Sequence, residues 1–361
     1  MHVTLQDVAK AAGVSPKTVS RVVNNQGEIS AATRQHVQQA IEELGYHPNF
    51  LARSLVSQHS NTLGVVASGL NYFGPSSTLT GIEQRTFELG YSLLFSMLPH
   101  SDETNVFPIL DSFVARRVDG IIWAVSEIGN NRSWIQPEAL KGLPPVVFLT
   151  MDPKPGLSVV TVDNKSGAVQ ATQHLVDLGR RNIAVIAGPG VWWEARERLA
   201  GFSEVMEKTG LEVLPAQVVE GDWTATSGKR CMLQLLEQYP QMDAVVASND
   251  QMALGALGIA HQSGIKIPDD IAFVGFDNMP ESACFWPPLT TVEQHLFDIG
   301  AISVQMLHKL IEAGQDEQID LPSEVRLMGT DLITRESTIG ARSSEALKSA
   351  EQNFIKTRSP K

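Results

Sequence analysis

A three-helix head, a hinge helix and two doubly wound parallel-sheet lobes form the α plus α/β architecture that this sequence predicts, on three observations. Two short amphipathic helical patterns separated by about three residues open the chain. From about residue 61, apolar strand-like runs alternate with amphipathic helical ones, the signature of parallel sheets covered by helices. Seven such runs spread over the rest of a 361-residue chain exceed one comfortable sheet, which predicts two lobes and a cleft.

In the head, Thr4 is a helix N-cap with Asp7 at the capping-box position, and Leu5, Val8, Ala9 and Ala12 share one face before Gly13 stops the helix. Ser15 caps the second helix, Pro16 takes its first position, where a missing N–H costs nothing, and Val19, Val22 and Val23 face inward. The third helix follows a Ser30 cap and turns Val37, Ala40, Ile41 and Leu44 inward before Gly45. Such a tight helix pair leaves the outer face of its second helix free. That face carries Ser15, Lys17, Thr18, Ser20, Arg21, Asn24 and Asn25, side chains suited to base edges and phosphates in a major groove. Tyr46-His47-Pro48-Asn49 then breaks the chain, and Asn49 to Val56 reads as a helix too short to hold alone.

Strands are expected at 62–67, 92–97, 120–124, 145–149, 182–187, 244–247 and 271–276, with helices at 81–89, 106–116, 167–178, 194–208 and 251–262. Ligands of open parallel sheets bind beyond the carboxyl ends of the strands. Those segments supply Tyr72, Phe73, Trp192, Trp193 and Trp223 for stacking on a sugar face, and Arg196, Arg198, Asn249, Asp250 and Asp277 for its hydroxyls.

Composition narrows the function classes. Hydrophobic residues make up 43% and charged residues 19%, an ordinary globular mixture. The longest apolar runs, 63–67 and 121–125, fall far short of the roughly 18 residues of a membrane span, and Met-His-Val-Thr does not begin an export signal, so a cytoplasmic protein without membrane contact is expected. Cys231 and Cys284 read as reduced packing residues. The net charge is −12, yet residues 1–60 carry Lys10, Lys17, Arg21, Arg34 and Arg53 against Asp7, Glu28, Glu42 and Glu43, so an acidic body would repel DNA everywhere but at the head. No enzyme chemistry is visible: there is no phosphate loop or Gly-x-Ser-x-Gly elbow, and Gly188-Pro189-Gly190 lacks the third glycine of a dinucleotide site. No catalytic residue, cofactor or metal is expected. A sugar-transport protein would need an export signal and would have no use for the first 57 residues.

Thr4-Leu5-Gln6-Asp7-Val8-Ala9, Gly13-Val14-Ser15, Thr18 to Asn24 and Tyr46-His47-Pro48-Asn49 with Ala52 and Leu55 resemble the head and hinge of the lactose-repressor/galactose-repressor (LacI/GalR) family of bacterial transcription regulators. The resemblance continues through Val162-Asp163-Asn164, Arg198 to Phe202, Glu220 to Trp223, Ser248 to Ala256, Gly275-Phe276-Asp277 and Pro287 to Val292 with Gln294. It implies a periplasmic-binding-protein-like body and an effector-controlled regulator. A homodimer of this kind binds palindromic operator DNA, its hinge helices pairing in the minor groove with Leu55 as an apolar wedge and Ala52 at their close approach. The resemblance also implies effector contacts at Arg198, Asn249, Asp277 and Gln294, an aromatic platform at Trp223, and Ser68 and Pro75 from the other lobe. Thr150 and His100 depart from the pattern at effector positions, and Pro16-Lys17 departs at the two base-choosing positions. The expected effector is a small sugar that releases the repressor; a purine or other small metabolite acting as corepressor is the alternative. The expected domains are a head at 1–46, a hinge at 47–60, an effector-binding and dimerisation body at 61–340 and a flexible tail at 341–361. Within the body, the N-terminal lobe is expected to span 61–161 and 292–322, and the C-terminal lobe 162–291 and 323–340.

Overall fold

The computed structural model describes residues 3–23, 27–46, 59–100, 102–314 and 322–340. Almost all of the expected hinge and the whole of the expected tail therefore lie outside the described residues. The chain divides into two compact units, residues 1–60 and residues 61–361.

In the first unit, α1 (Leu5–Ala11), α2 (Pro16–Val23) and α3 (Ala31–Leu44) enclose a core of Val8, Ala9, Ala12, Val19, Val22, Val37, Ala40 and Tyr46. The capping box is present: the Asp7 amide donates to Thr4 Oγ1 at 3.3 Å, and the Thr4 amide donates to Asp7 Oδ2 at 2.8 Å. Ser15 and Ser30 accept from the Thr18 and Thr33 amides at 3.1 and 3.2 Å. Leu44, expected inside, is 37% exposed. Gly45 turns the chain at φ +60° immediately after it, and the larger Tyr46 ring fills the core instead.

The second unit holds two six-stranded sheets. The first has the order β11-β5-β4-β3-β1-β2, from β1 (Thr62–Ala67), β2 (Ser92–Met97), β3 (Gly120–Ala124), β4 (Val146–Leu149), β5 (Ser158–Val162) and β11 (Val325–Met328), all parallel. The second has the order β12-β10-β9-β8-β6-β7, from β6 (Ile183–Ala187), β7 (Val218–Glu220), β8 (Ala244–Ala247), β9 (Ala272–Asp277), β10 (Thr290–Glu293) and β12 (Asp331–Ile333). Among its described pairs, β10–β12 alone is antiparallel. Helices α4 (Phe73–Glu88), α5 (Phe107–Ala115), the short α6 (Pro137–Leu140) and α11 (Leu296–Ala313) belong to the first lobe; α7 (Asn164–Asp177), α8 (Trp193–Lys208), α9 (Ala225–Gln238) and α10 (Asp250–Gln262) belong to the second. The central strands are buried end to end, as parallel strands covered on both faces must be. Trp123, Phe113 and Phe148 fill one lobe, and Phe202, Phe273 and Phe276 the other.

The chain crosses between lobes at Asp163, at 294–295 and at 329–330. The last two crossings differ from the expected boundaries at 291/292 and 322/323. Residues 290–293 pair with β9 in the second sheet, and residues 325–328 pair with β5 in the first. A strand follows its hydrogen-bonding partner, and neither partner is visible in a local pattern.

Candidate functional site

On the outer face of the head, Thr4, Ser15, Pro16, Lys17 and Arg21 are exposed, and Thr18 and Ser20 are half-buried. The Ser15 hydroxyl caps α2 and lies 2.9 Å from Thr18 Oγ1, so both hydroxyls are held at the helix entrance. Lys17 and Arg21 are one turn apart on α2, a spacing that puts two cations on one helix face. Asn24, Asn49, Ala52 and Leu55 lie outside the described residues.

In the body, a cleft opens where the strand order reverses in both sheets, between β1 and β3 in one lobe and β6 and β8 in the other. Its walls include Tyr72, Phe73, Pro75, Ser126, Thr150 and Thr161 from the first lobe and Asn164, Trp192, Glu194, Arg198, Trp223, Asn249 and Asp277 from the second, with Gln294 at a crossing. Three wall residues without glycine's freedom hold positive φ: Thr150 at +52°, Trp223 at +72° and Asp277 at +114°. Left-handed backbone at bulky residues is strained and persists where the surroundings over-determine it. Here it aims side chains from the ends of strands into the cleft.

Arg198 organises the floor. Its Nε donates to Asn164 Oδ1 at 2.8 Å, Nη1 donates to the Ser248 carbonyl, and Nη2 donates to Gln294 Oε1 at 3.2 Å. Asp277 Oδ1 sits 3.6 Å from Nη1 and accepts from Gln294 Nε2. The guanidinium lies over the Phe276 ring at 3.9 Å from its centroid. Asn249 caps α10, accepting from the Met252 amide at 2.8 Å, and its side-chain amide donates to the Trp223 carbonyl at 3.0 Å, which fixes the aromatic wall. Gly188 makes that wall possible, since a Cβ there would stand 2.1 Å from the Trp223 ring. Gly275 plays the same part for Asp250, whose carboxylate a Cβ would approach to 2.2 Å. Trp192 meets Trp223 edge-on at 5.8 Å, and Tyr72 meets Trp192 edge-on at 6.2 Å across the lobes.

Burial pushes the Asp277 carboxyl up to about 8, against the pull of Arg198 and Gln294, and pushes Asp250 up to about 6. The folded protein then keeps a proton on Asp277 between about pH 4 and 8 that the unfolded chain releases. Its stabilisation is complete below the unfolded value and is lost as the pH rises through the folded one, by at most about 1.4 kcal/mol per pH unit. Asp277→Asn is expected to remove the Asp277 share of that slope and to leave the shares of Asp250 and Glu194, whose carboxyls burial also pushes up. Urea midpoints measured from about pH 4.5 to 8.5 check this, and an unchanged slope in the variant would show that Asp277 is ionised throughout.

Of the residues expected at an effector site, Tyr72, Phe73, Pro75, Thr150, Arg198, Trp223, Asn249, Asp277 and Gln294 stand together around the cleft. Five do not line it, the first being Trp193, which is buried at the start of α8. Ser68 is buried and is not among the wall residues, and His100 is exposed outside the cleft. Arg196 donates to the Gly190 and Val191 carbonyls at 3.2 and 3.1 Å, tied to its own loop. Asp250, expected to meet ligand hydroxyls, is likewise absorbed by structure: it accepts from Thr291 Oγ1 at 2.6 Å, from the Met279 amide at 2.9 Å and from Ser282. Residues not expected at the cleft include Glu194, Asn164, Ser126 and Thr161. Among the described residues no cluster suits a metal ion, and no helix is long and apolar enough to cross a membrane.

A helix-turn-helix head and a two-lobed body with a polar, aromatic-walled cleft define an effector-responsive DNA-binding regulator. The profile of bacterial regulatory proteins of the lacI family matches residues 4–49, and that of periplasmic binding protein-like domains matches residues 172–338. The lactose operon repressor of Escherichia coli (strain K12) is 34% identical over 344 residues, covering 95% of this chain and 93% of that one. The crystal structure of the lac repressor dimer bound to operator and the anti-inducer ONPF superposes with a TM-score of 0.82 at 34% identity, over 94% of this chain and all of that one. The complex of the transcriptional regulator CelR with cellobiose superposes with a TM-score of 0.68 at 31% identity, over 93% of this chain and all of that one. The chain belongs to the lacI family: it is a DNA-binding transcriptional regulator and not an enzyme.

Proposed function

We propose that this protein is a cytoplasmic repressor that binds a palindromic operator as a homodimer and is released by a small sugar seated between its two lobes. The cleft carries the reading: aromatic side chains Tyr72, Trp192 and Trp223 face a floor of Arg198, Asn249, Asp277 and Gln294, the combination that grips a polyhydroxylated ring. The lac repressor's complex with ONPF and CelR's with cellobiose support the same ligand class. The division of labour is a DNA-binding head at 1–46, a hinge at 47–60 and an effector-binding, dimerising body at 61–340. Exposed Phe87, Phe95, Met97 and Phe107 on the first lobe suit burial against a second copy. Screening cellobiose, lactose and D-ribose against hypoxanthine and guanine for a rise in unfolding temperature tests the effector class. Stabilisation by a nucleobase alone would replace the sugar with a corepressor of the other kind.

At the head, Lys17 selects a base and Arg21 docks the helix. Lys17→Ala is expected to change preference at one half-site position by about 1 to 3 kcal/mol, read by titrating operator variants at fixed salt. Equal losses on operator and random DNA would make Lys17 a phosphate contact.

A further inference from the structure

Buried polar atoms nearly always have partners, so an unpartnered one in the wall of a cleft marks a place where a ligand atom belongs. The charged and amide groups of the floor do not meet that description. Arg198 commits its N–H groups to Asn164, Ser248 and Gln294, and Asn249 commits both ends of its amide. Three other wall residues carry buried polar atoms with no partner: Glu194 Oε2, Trp223 Nε1 and Thr161 Oγ1. A carboxyl oxygen without a proton accepts, an indole N–H only donates, and a hydroxyl does both.

We propose that Glu194 determines which effector this protein accepts, its free Oε2 taking the hydrogen of a sugar hydroxyl. The inference rests on the sugar reading of the cleft and goes beyond it by naming the residue that selects among sugars. Trp223 Nε1–H and Thr161 Oγ1 are the other unpartnered atoms of the wall residues, and a polyol, which both donates and accepts, suits that mixture of demands. A ligand without the matching hydroxyl leaves a buried carboxyl unpaired, which is how a polar pocket rejects an analogue lacking one group.

Glu194 is also held still from both sides. It lies in the first turn of the 16-residue helix α8, directly after a segment that the first lobe clasps. Ile128 bridges Trp192 in antiparallel fashion, the Gly129 amide donates to the Val191 carbonyl at 2.8 Å, and the Trp193 amide donates to the Glu127 carbonyl at 3.0 Å. A contact on so fixed a backbone discriminates sharply, because the site does not relax around a poor ligand. The rivals for the Glu194 carboxyl are both in the first lobe: the Ser126 hydroxyl, which hydrogen-bonds to it, and Arg132, also buried, with Nε and Nη1 unpartnered.

The test uses the full chain as wild type, Glu194→Gln and Glu194→Ala, titrated calorimetrically with cellobiose, lactose, D-ribose and hypoxanthine, with unfolding midpoints measured alongside. Glu194→Ala is expected to weaken the sugar that wild type binds by roughly 5- to 150-fold, the cost of leaving a buried hydrogen-bonding group without its partner. Glu194→Gln, which keeps an acceptor oxygen, should lose less. Wild type should also reject one monodeoxy analogue of that sugar, and Glu194→Ala should accept parent and analogue alike. Unchanged sugar affinity in Glu194→Ala, with a lowered midpoint, overturns the assignment and makes Glu194 the structural partner of Arg132. Failure of every sugar to bind wild type, with or without binding of hypoxanthine, overturns the sugar reading first and this inference with it.

Discussion

Arg198→Ala is expected to abolish effector binding and to destabilise the body by about 3 kcal/mol or more, since several buried acceptors lose their donor at once and each unsatisfied buried group costs roughly 1 to 3 kcal/mol. The side chain is buried, and three acceptors lose their donor together, Asn164 Oδ1, the Ser248 carbonyl and Gln294 Oε1, while Asp277 loses a guanidinium 3.6 Å away. Asn164 follows one lobe crossing and Gln294 forms another, so the guanidinium ties two crossings to the floor of the second lobe. Arg198→Lys separates charge from geometry, since an ammonium cannot reproduce the planar fork. It should recover part of the stability and little of the ligand response. Denaturant unfolding and thermal shift with cellobiose and lactose read the two effects. Loss of operator binding without ligand, at normal sugar affinity, would make Arg198 a support of the lobe alone.

What the sequence made legible divides along physical lines. Strands whose side chains are apolar on both faces, such as 62–67, 120–124 and 244–247, stand where their hydropathy put them. The strand at 290–293 was hidden because Thr290 and Thr291 look like loop residues. Their hydroxyls are satisfied only through distant partners, the Arg335 carbonyl at 2.9 Å and Asp250 at 2.6 Å. The edge strand at 325–328 leaves Val325 and Leu327 about half exposed and so shows no clean alternation. Helix α4 begins at Phe73, well before the expected start at residue 81, through Gly74 and Pro75, which read locally as a turn. The cleft was legible because its residues follow strands, a rule of topology that needs no coordinates. Glu194 was not, since an acidic residue in a helix's first turn ordinarily faces water and complements the helix dipole. Only the packing of Trp193, Ser126 and the facing lobe around it reveals a buried carboxyl.

Effector and operator are expected to weaken each other by the same factor, in the range of about 5- to 150-fold. Three crossings join the lobes, and a ligand that touches Tyr72 and Phe73 of one lobe and Arg198 and Asp277 of the other binds some lobe orientations better than others. A ligand with unequal affinity for two states shifts the population toward the one it prefers, and DNA that prefers the opposite state must then oppose the ligand. Measuring operator affinity with saturating sugar, and sugar affinity with saturating operator, closes the cycle in both directions. Asp277→Asn should reduce both factors to about 1 while leaving operator binding intact, giving a permanently bound repressor, because the floor loses the carboxyl held between Arg198 and Gln294. A variant that binds sugar normally and still releases DNA would show that Asp277 belongs to the second lobe's internal support. The lobe contacts that carry the coupling would then lie on the other wall, at the Ile128 to Trp192 clasp.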